Sequence, residues 1–483
     1  MQKKSLVKNS IYNVVYRLLN MLFPLATSVY VSHILMASGI GKVSYAQNIV
    51  QYFVILAPLG ITNYGTREIA KNRLNHELTN HIFSELFLIN ICSTAICSII
   101  YYSAVTYMDM FADERLLFYV AGLPIIFNAI NIEWYYYGNE EYGYIALRSF
   151  IVKLISLILL FVFVKTADDY IIYALIYTLG IAGNYIFNIT NLHRKNVKIV
   201  FKNLSLSRHF KPTFIFLCTT ISIELYTLLD TTMLGFLCTD EVVGYYTNSI
   251  KLVKILVALI TSVGSVLLPR LSFYKNQGKL DECCNIVNKV VAVMLFLSIP
   301  CGIGTFILSD KLILVLFGNT FLPANTTVKI ATGLIYVLGF SNLFGTQILL
   351  TFNAEKKLLI STIVGAVTNI CMNLILIPQY NHNGAVVASV LSECLVTLIT
   401  FLFAKKFIKV RINKSFAVKT VVSVILMGIS VLYVSGMIEN NILNIFVSVF
   451  IGCVVYFVSN ALFKNPVLIE AKGFFKSRKK HHV

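Results

Sequence analysis

Ionisable residues inside long apolar stretches are the part of this sequence best suited to chemistry. Four cations occupy such stretches, Arg17, Lys153, Lys251 and Lys254. An ionisable group at the centre of a bilayer costs at least about 2.5–3.5 kcal/mol, so it normally faces a cavity or a partner. Cations that line a cavity suit an anionic ligand such as a phosphate or diphosphate. These four residues are therefore the predicted substrate-binding cations.

The spacing of neighbouring polar residues supports this interpretation. Asn13, Arg17 and Asn20 recur at i, i+4 and i+7, which places them on one face of a helix. Lys251 and Lys254 lie on a similar face, and Asn369 and Asn373 form a further polar stripe suited to a wet cavity. Three alternatives stay open. Arg17 and Lys153 could snorkel to the interface, Lys254 could form a structural ion pair, and the asparagines could simply join neighbouring helices.

Acidic residues inside apolar stretches are candidates for ion coupling or gating. They are Glu133, Glu224, Asp230 and Glu393. Glu224 and Glu393 could pair with Lys251 or Lys254, or carry a coupling proton or sodium ion. Glu133 and Arg148 face each other across a short hairpin and are predicted to pair as a latch of an inner gate.

The sequence shows no pattern for covalent chemistry. It has no P-loop, no GxSxG elbow and no HExxH motif, and its histidines are scattered. Most of its ten cysteines lie in apolar runs, where they act as small hydrophobic residues. We therefore expect no catalytic residue, no metal site, no cofactor and no enzyme activity.

Composition identifies the elements that must position these residues. Of 483 residues, 57% are hydrophobic and 13% charged, and the mean hydropathy is +0.76. A soluble domain has about 25% charged residues. Apolar runs of about 20 residues recur along the chain, long enough to cross a bilayer as helices. The sequence therefore predicts an all-α polytopic membrane protein.

Fourteen apolar segments are predicted to span the membrane. They cover residues 10–33, 43–65, 80–103, 116–137, 146–164, 170–191, 211–236, 243–268, 288–308, 326–352, 358–377, 384–404, 416–436 and 441–463. Lysine and arginine concentrate in alternate loops, which places both termini in the cytoplasm. The net charge of +18 is explained by this asymmetry and by anionic lipid headgroups. We expect no nucleic-acid partner, since the longest loop has about twenty residues.

A weak internal repeat suggests two halves. The stretch "YAQNIVQYFVIL" at 45–56 aligns with "YTNSIKLVKILV" at 246–257. Parallel six-helix halves around a central cavity are a transporter arrangement. We predict an N-terminal bundle (1–191), a basic cytoplasmic linker (192–210), a C-terminal bundle (211–404), and two extra spans with a basic tail (405–483).

The stretch "IEWYYYGNEEYGYIALRS" at 132–149 holds the single tryptophan. The predicted topology places it at a cytoplasmic boundary of the membrane. There Trp134, Tyr135, Tyr136 and Tyr137 are predicted to form an interfacial aromatic belt.

This stretch, with "NYGTREIAK", "LDTTMLGFLCTDEVVGYYTNSIKLVKI", "LLPRLS", "LFGNTF" and "IPQYNHNGAVVASVLSE", resembles the polysaccharide-biosynthesis flippases. These Wzx-like proteins belong to the multidrug/oligosaccharidyl-lipid/polysaccharide (MOP) exporter superfamily. The resemblance covers residues 1 to about 405. It implies a V-shaped fold of two pseudo-symmetric six-helix bundles with two further helices.

The resemblance also implies a function. Such proteins move an undecaprenyl-diphosphate-linked oligosaccharide repeat unit to the outer leaflet of a bacterial plasma membrane, for O-antigen, capsule or exopolysaccharide synthesis. Implied partners are this glycan, the bilayer, a coupling H⁺ or Na⁺, and polymerase and chain-length proteins. Two alternatives are a MATE-like drug or metabolite antiporter and a polytopic glycosyltransferase or ligase. Basic intramembrane residues disfavour the first, and the short outer loops disfavour the second.

Overall fold

The computed structural model describes residues 6–192, 197–265, 267–411 and 413–469, without the side chains of 6–15, 17–22, 219, 222, 223, 225, 226, 265, 268 and 269. These ranges contain helices and no strand. The helices are α1 (Leu6–Leu56), α2 (Ile61–Asn72), α3 (His76–Tyr107), α4 (Arg115–Ala121), α5 (Leu123–Phe127), α6 (Glu133–Gly138), α7 (Tyr142–Phe163), α8 (Tyr170–Leu192), α9 (Ser207–Leu237), α10 (Asp240–Ser265), α11 (Leu267–Asn276), α12 (Leu280–Ile307), α13 (Ser309–Phe317), α14 (Asn325–Ser341), α15 (Glu355–Ala404), α16 (Lys414–Met437) and α17 (Asn441–Leu462). A π-helical stretch, Asn342–Leu349, continues α14.

The predicted membrane spans coincide with helical stretches. In the described ranges, ten helices are long and apolar enough to cross a membrane, and two shorter apolar helices cover 115–130 and 227–237. The chain is thus an all-helical, multi-pass membrane protein. Two of the ten long helices each cover two predicted spans, and the two shorter apolar helices overlap two more, so the structure is consistent with fourteen.

Both double-length helices are broken at one residue. Helix α1 is interrupted at Met36 (φ 58°, ψ −170°), and α15 is interrupted at Asn381 (φ 50°, ψ −131°). Asparagine tolerates a positive φ better than most residues. A Cβ on Gly384 would lie 2.2 Å from the carbonyl oxygen of Leu376, so only glycine allows the chain to approach itself this closely.

Short polar residues set several helix starts. Asn75 accepts a hydrogen bond from the backbone N–H of Leu78 at the start of α3, and Asn413 accepts one from Ser415 at the start of α16. Asn440 accepts two, from Ile442 and Leu443, at the start of α17. Each of these side chains satisfies backbone donors that the first helical turn leaves without a partner.

The chain divides into two compact units, residues 1–244 and 245–483. In the first unit α1 packs against α7 and α9, and α2 packs against α3, α6 and α9. In the second, α14 packs against α12 and α15, and the hairpin of α16 and α17 packs against α12 and α13. Helix α9 thus groups with the first unit, and the division into two six-helix bundles stays a prediction.

The aromatic residues that follow Glu133 lie in the core of the first unit. Trp134, Tyr135 and Tyr136 are buried, and Trp134 packs on Phe83 with ring centroids 5.4 Å apart. The predicted interfacial belt is wrong for these three residues, because α6 is a short helix that packs onto α2. The α2–α6 contact needs a small residue, since a Cβ on Gly138 would lie 2.7 Å from Cβ of Ile69.

Candidate functional site

The predicted pair of Glu133 and Arg148 is present in the first unit. Nη2 of Arg148 donates to Oε1 of Glu133 at 2.6 Å, and the pair joins α6 to α7. The guanidinium also donates to the side chain of Asn188 and, at 3.2 Å, to the carbonyl oxygen of Asn184, both on α8. The pair therefore ties three helices together. Its role as a gate stays a prediction.

Lys153 lies deep within the same unit. It follows Tyr142, the first residue of α7, by eleven positions. At 1.5 Å per residue this is about 17 Å from the start of α7, near the middle of this 22-residue helix. Its side chain is half-buried, and Nζ lies 5.5 Å from the ring centroid of Phe23 on α1. Snorkelling of Lys153 to the membrane interface stays an open alternative.

Lys251 occupies a similar depth in the second unit. It follows Asp240, the first residue of α10, by eleven positions and is half-buried. Lys254 lies one turn further along and is exposed. Each unit therefore carries a lysine near the middle of a membrane-spanning helix.

Two predicted asparagines contact each other. Asn369 and Asn373 are buried on α15, and Nδ2 of Asn373 donates to Oδ1 of Asn369 at 3.1 Å. This buried amide pair places polar atoms within the predicted span 358–377 of α15. Their assignment to substrate binding stays a prediction.

The remaining predicted residues are placed as follows. Asp230 and Glu393 are buried, whereas Glu224 is half-buried. The side chains of Asn13, Arg17 and Asn20 lie outside the described residues. In the described ranges, no group of three or more His, Cys, Asp or Glu side chains could hold a metal ion.

The sequence interpretation missed a second ion cluster in the first unit, centred on Glu85 of α3. The carboxylate is buried, and it accepts from Nε of Arg208 at 3.1 Å, from Nη2 of the same arginine, and from the backbone N–H of Ser205 at 2.6 Å. Nε2 of His209 lies 2.7 Å from the same carboxylate, and Nδ1 of His209 lies 2.8 Å from the hydroxyl of Tyr64. The cluster joins α2, α3 and the start of α9. An acid inside an apolar segment was the available signal.

A third cluster lies elsewhere in the first unit. Lys42 of α1 forms an ion pair with Glu114, whose other carboxylate oxygen accepts a hydrogen bond from the hydroxyl of Tyr170 at 2.9 Å. Nζ of Lys42 also lies 4.9 Å from the ring centroid of Tyr170. This cluster ties α1 to the starts of α4 and α8.

Comparison with known proteins shows the family to which this chain belongs. Residues 6–275 match the family described as polysaccharide biosynthesis protein, which is more than half of the chain. The chain belongs to this family. A candidate O-antigen transporter of Escherichia coli strain K12 is 23% identical over 414 residues, covering 83% of this chain and 97% of that protein.

Solved structures show the same fold. The lipid II flippase MurJ, in an inward closed conformation, superimposes with a TM-score of 0.73 at 16% identity, covering 96% of this chain and all of that chain. An inward-facing multidrug resistance MATE transporter of the MOP superfamily has a TM-score of 0.63 at 12% identity, covering 82% of this chain and 97% of that chain. The chain thus shares the fold of MurJ and of this MATE transporter. The relatives are named as transporters and flippases, not as enzymes.

Proposed function

We propose that this protein flips an undecaprenyl-diphosphate-linked oligosaccharide repeat unit from the cytoplasmic to the outer leaflet of the bacterial plasma membrane by alternating access. The product would supply O-antigen, capsule or exopolysaccharide synthesis. Family membership supports a lipid-linked glycan as the substrate. The proposal that the diphosphate is bound rests on one observation: each unit has a lysine near the middle of a membrane-spanning helix, Lys153 in α7 and Lys251 in α10.

The charged diphosphate is the part of this substrate that is hardest to move through hydrocarbon. Cations placed at mid-membrane depth offset its charge through charge-assisted hydrogen bonds, which are about twice as strong as neutral ones. In this proposal Lys153, Lys251, Lys254 and Arg17 contact the diphosphate. The amides of Asn13, Asn20, Asn369 and Asn373 contact the polar glycan.

The direct test is flipping of the lipid-linked oligosaccharide by the purified protein in proteoliposomes. Lys153→Ala and Lys251→Ala are each expected to slow flipping about ten-fold or more, because each removes a hydrogen bond to a charged group. Lys→Arg at either position should retain much of the rate. Lys279→Ala, at an exposed lysine just before α12, is the matched control. Wild-type rates in both alanine variants would refute the diphosphate site.

Ion coupling is a separate part of the proposal. Buried or half-buried acids within spans suit a coupling H⁺ or Na⁺, and Glu224, Asp230 and Glu393 are such residues. Flipping should then depend on an imposed pH or sodium gradient and weaken in Glu224→Gln. Flipping at full rate without any gradient would reject coupling while leaving the substrate assignment intact.

The second candidate function is drug or metabolite antiport. The fold shared with a MATE transporter permits it, since fold alone does not decide function. Cationic drugs favour acidic cavities, and the mid-span lysines disfavour such substrates. Drug-stimulated ion flux in the proteoliposomes, with no movement of the lipid-linked glycan, would establish this alternative.

Under the main proposal both termini lie in the cytoplasm, and polymerase and chain-length proteins receive the flipped unit.

A further inference from the structure

Residues 197–206, which precede α9, form a segment without helix or strand that we call the strap. The strap is attached to the first turns of α3. Three of its backbone N–H groups donate to side chains of α3, in the pairs Lys198–Asn80 (3.3 Å), Val200–Ser84 (2.8 Å) and Ser205–Glu85 (2.6 Å). Polar side chains of α3 thus satisfy donors that a helix would have satisfied internally.

The ion cluster around Glu85 fixes the end of the strap. Arg208 and His209 lie in the first turn of α9, just after the strap, and both contact the Glu85 carboxylate. His209 is buried and is held from its other side by Tyr64 of α2. The strap is therefore anchored at its last residues by a buried carboxylate and along its length by α3.

The strap and the start of α9 present large apolar side chains outward. Phe201 is 72% exposed and Ile199 is 44% exposed, although the strap is fixed in place. Phe210 and Phe214, in the first turns of α9, are also exposed. These four exposed side chains lie just before or at the start of the predicted span 211–236, where exposed apolar residues mark an interaction surface.

Basic residues accompany these apolar side chains. Lys198, Lys202 and Lys211 are all exposed. Helix α3 has 32 residues and is about 48 Å long, whereas the hydrocarbon layer is only ~30 Å thick. The strap contacts residues 80–85, where the predicted span 80–103 begins, so we place it at the boundary between the lipid headgroups and the acyl chains. Apolar side chains beside lysines at this depth fit a membrane interface.

We propose that the strap and the first turns of α9 form a binding surface for anionic phospholipid. Ile199, Phe201, Phe210 and Phe214 insert at the boundary between headgroups and acyl chains. Lys198, Lys202 and Lys211 contact the lipid phosphates and anionic headgroups. Glu85 is a positioning residue that holds this surface against α3. The surface is independent of the substrate that the protein transports.

The test uses the full chain in nanodiscs and places a fluorescent reporter on the strap. Phe201→Trp adds one indole, and the unmodified chain supplies the background because its single tryptophan, Trp134, is buried. The added emission is expected to be blue-shifted. Lipids brominated near the headgroup should quench most of it. No quenching by brominated lipid would overturn the proposal: emission typical of water would then indicate a solvent-facing strap, and blue-shifted emission a protein-facing one.

A second arm tests the preference for anionic lipid. Quenching of the added tryptophan by a brominated anionic lipid diluted into zwitterionic lipid should exceed that by a brominated zwitterionic lipid at the same fraction. Each lysine near an anionic surface contributes about a five-fold preference. Lys198→Gln with Lys202→Gln should therefore abolish most of the difference.

The matched control removes the same charge elsewhere. Lys405→Gln with Lys406→Gln alters two exposed lysines that follow α15 and should leave the difference unchanged. Equal quenching by both lipids in the Phe201→Trp chain, or equal loss in both double variants, would contradict a local anionic site. Glu85→Gln in the same background should increase tryptic cleavage after Lys198 and Lys202, because the strap loses its anchor. Unchanged cleavage would refute the positioning role.

Discussion

Two ion clusters in the first unit have opposite arrangements of charge. In one, Arg148 is 2% exposed and its partner Glu133 is 21% exposed. In the other, Glu85 is 1% exposed and its partner Arg208 is 45% exposed. The first cluster buries a cation and leaves the acid partly open, whereas the second buries an acid and leaves a cation at the surface.

The clusters also differ in how well the buried charge is satisfied. The Glu85 carboxylate accepts from a backbone N–H and from Arg208, and it contacts His209. Arg148 has a single carboxylate partner among the described residues, and its Nε has no acceptor there. A buried charge with a single oppositely charged partner is the more vulnerable, because loss of Glu133 leaves Arg148 only the neutral acceptors on Asn184 and Asn188. The Glu85 cluster should therefore tolerate the loss of one partner better than the Arg148 cluster does.

Removal of Glu133 is expected to have the largest effect on stability. Glu133→Ala leaves the Arg148 guanidinium buried without a carboxylate, which should lower the free energy of unfolding by about 3–5 kcal/mol. Unfolding by SDS in mixed micelles, followed by the fluorescence of Trp134, measures it.

A compensating change separates lost charge from lost packing. Glu133→Ala combined with Arg148→Met should be more stable than Glu133→Ala alone, because no buried charge remains. If the double variant is the less stable of the two, the buried guanidinium is not the cause.

Removal of Arg208 is expected to have a smaller effect. Arg208→Ala leaves Glu85 with Ser205 and His209, so we expect the free energy of unfolding to fall by about 1–2 kcal/mol. Arg73→Ala is a matched control, because Arg73 has the same 45% exposure but pairs at 3.1 Å with Glu140, which is itself 44% exposed. The control should lose at most about 1 kcal/mol, as exposed ion pairs do. Equal losses in the two variants would remove the distinction between a buried and an exposed acid.

The two clusters also show how far the sequence could predict this structure. Glu133 and Arg148 are fifteen residues apart across a short hairpin, so their pairing followed from local geometry and is confirmed. Glu85 and Arg208 are separated by 123 positions. Arg208 looked like one more cation of a basic linker, and only tertiary packing brings it to α3. The acid in "SELFLIN" was visible, but its partner was not.

The membrane-spanning helices were predictable because hydrocarbon thickness imposes a length and composition on every span. The aromatic run after Glu133 was not, because aromatic residues suit both an interface and a core. What decided the environment of Trp134 was the close approach of α6 to α2 at Gly65 and Gly138. Such contacts between small residues leave no hydropathy signal.

The variant with the smallest expected effect tests whether the contact of His209 with Tyr64 helps to stabilise the buried Glu85 carboxylate. Tyr64→Phe removes the hydroxyl that lies 2.8 Å from Nδ1 of His209 and keeps the ring that packs beside Phe216. We expect the free energy of unfolding to fall by about 0.5–1.5 kcal/mol, the net contribution of one hydrogen bond. In the Arg208→Ala background the same change should cost more than it does alone, since His209 then carries more of the compensation for Glu85. Strictly additive losses in the same SDS titration would show that Tyr64 and Arg208 act on separate parts of the cluster, and that the redundancy of the Glu85 cluster ends at its direct donors.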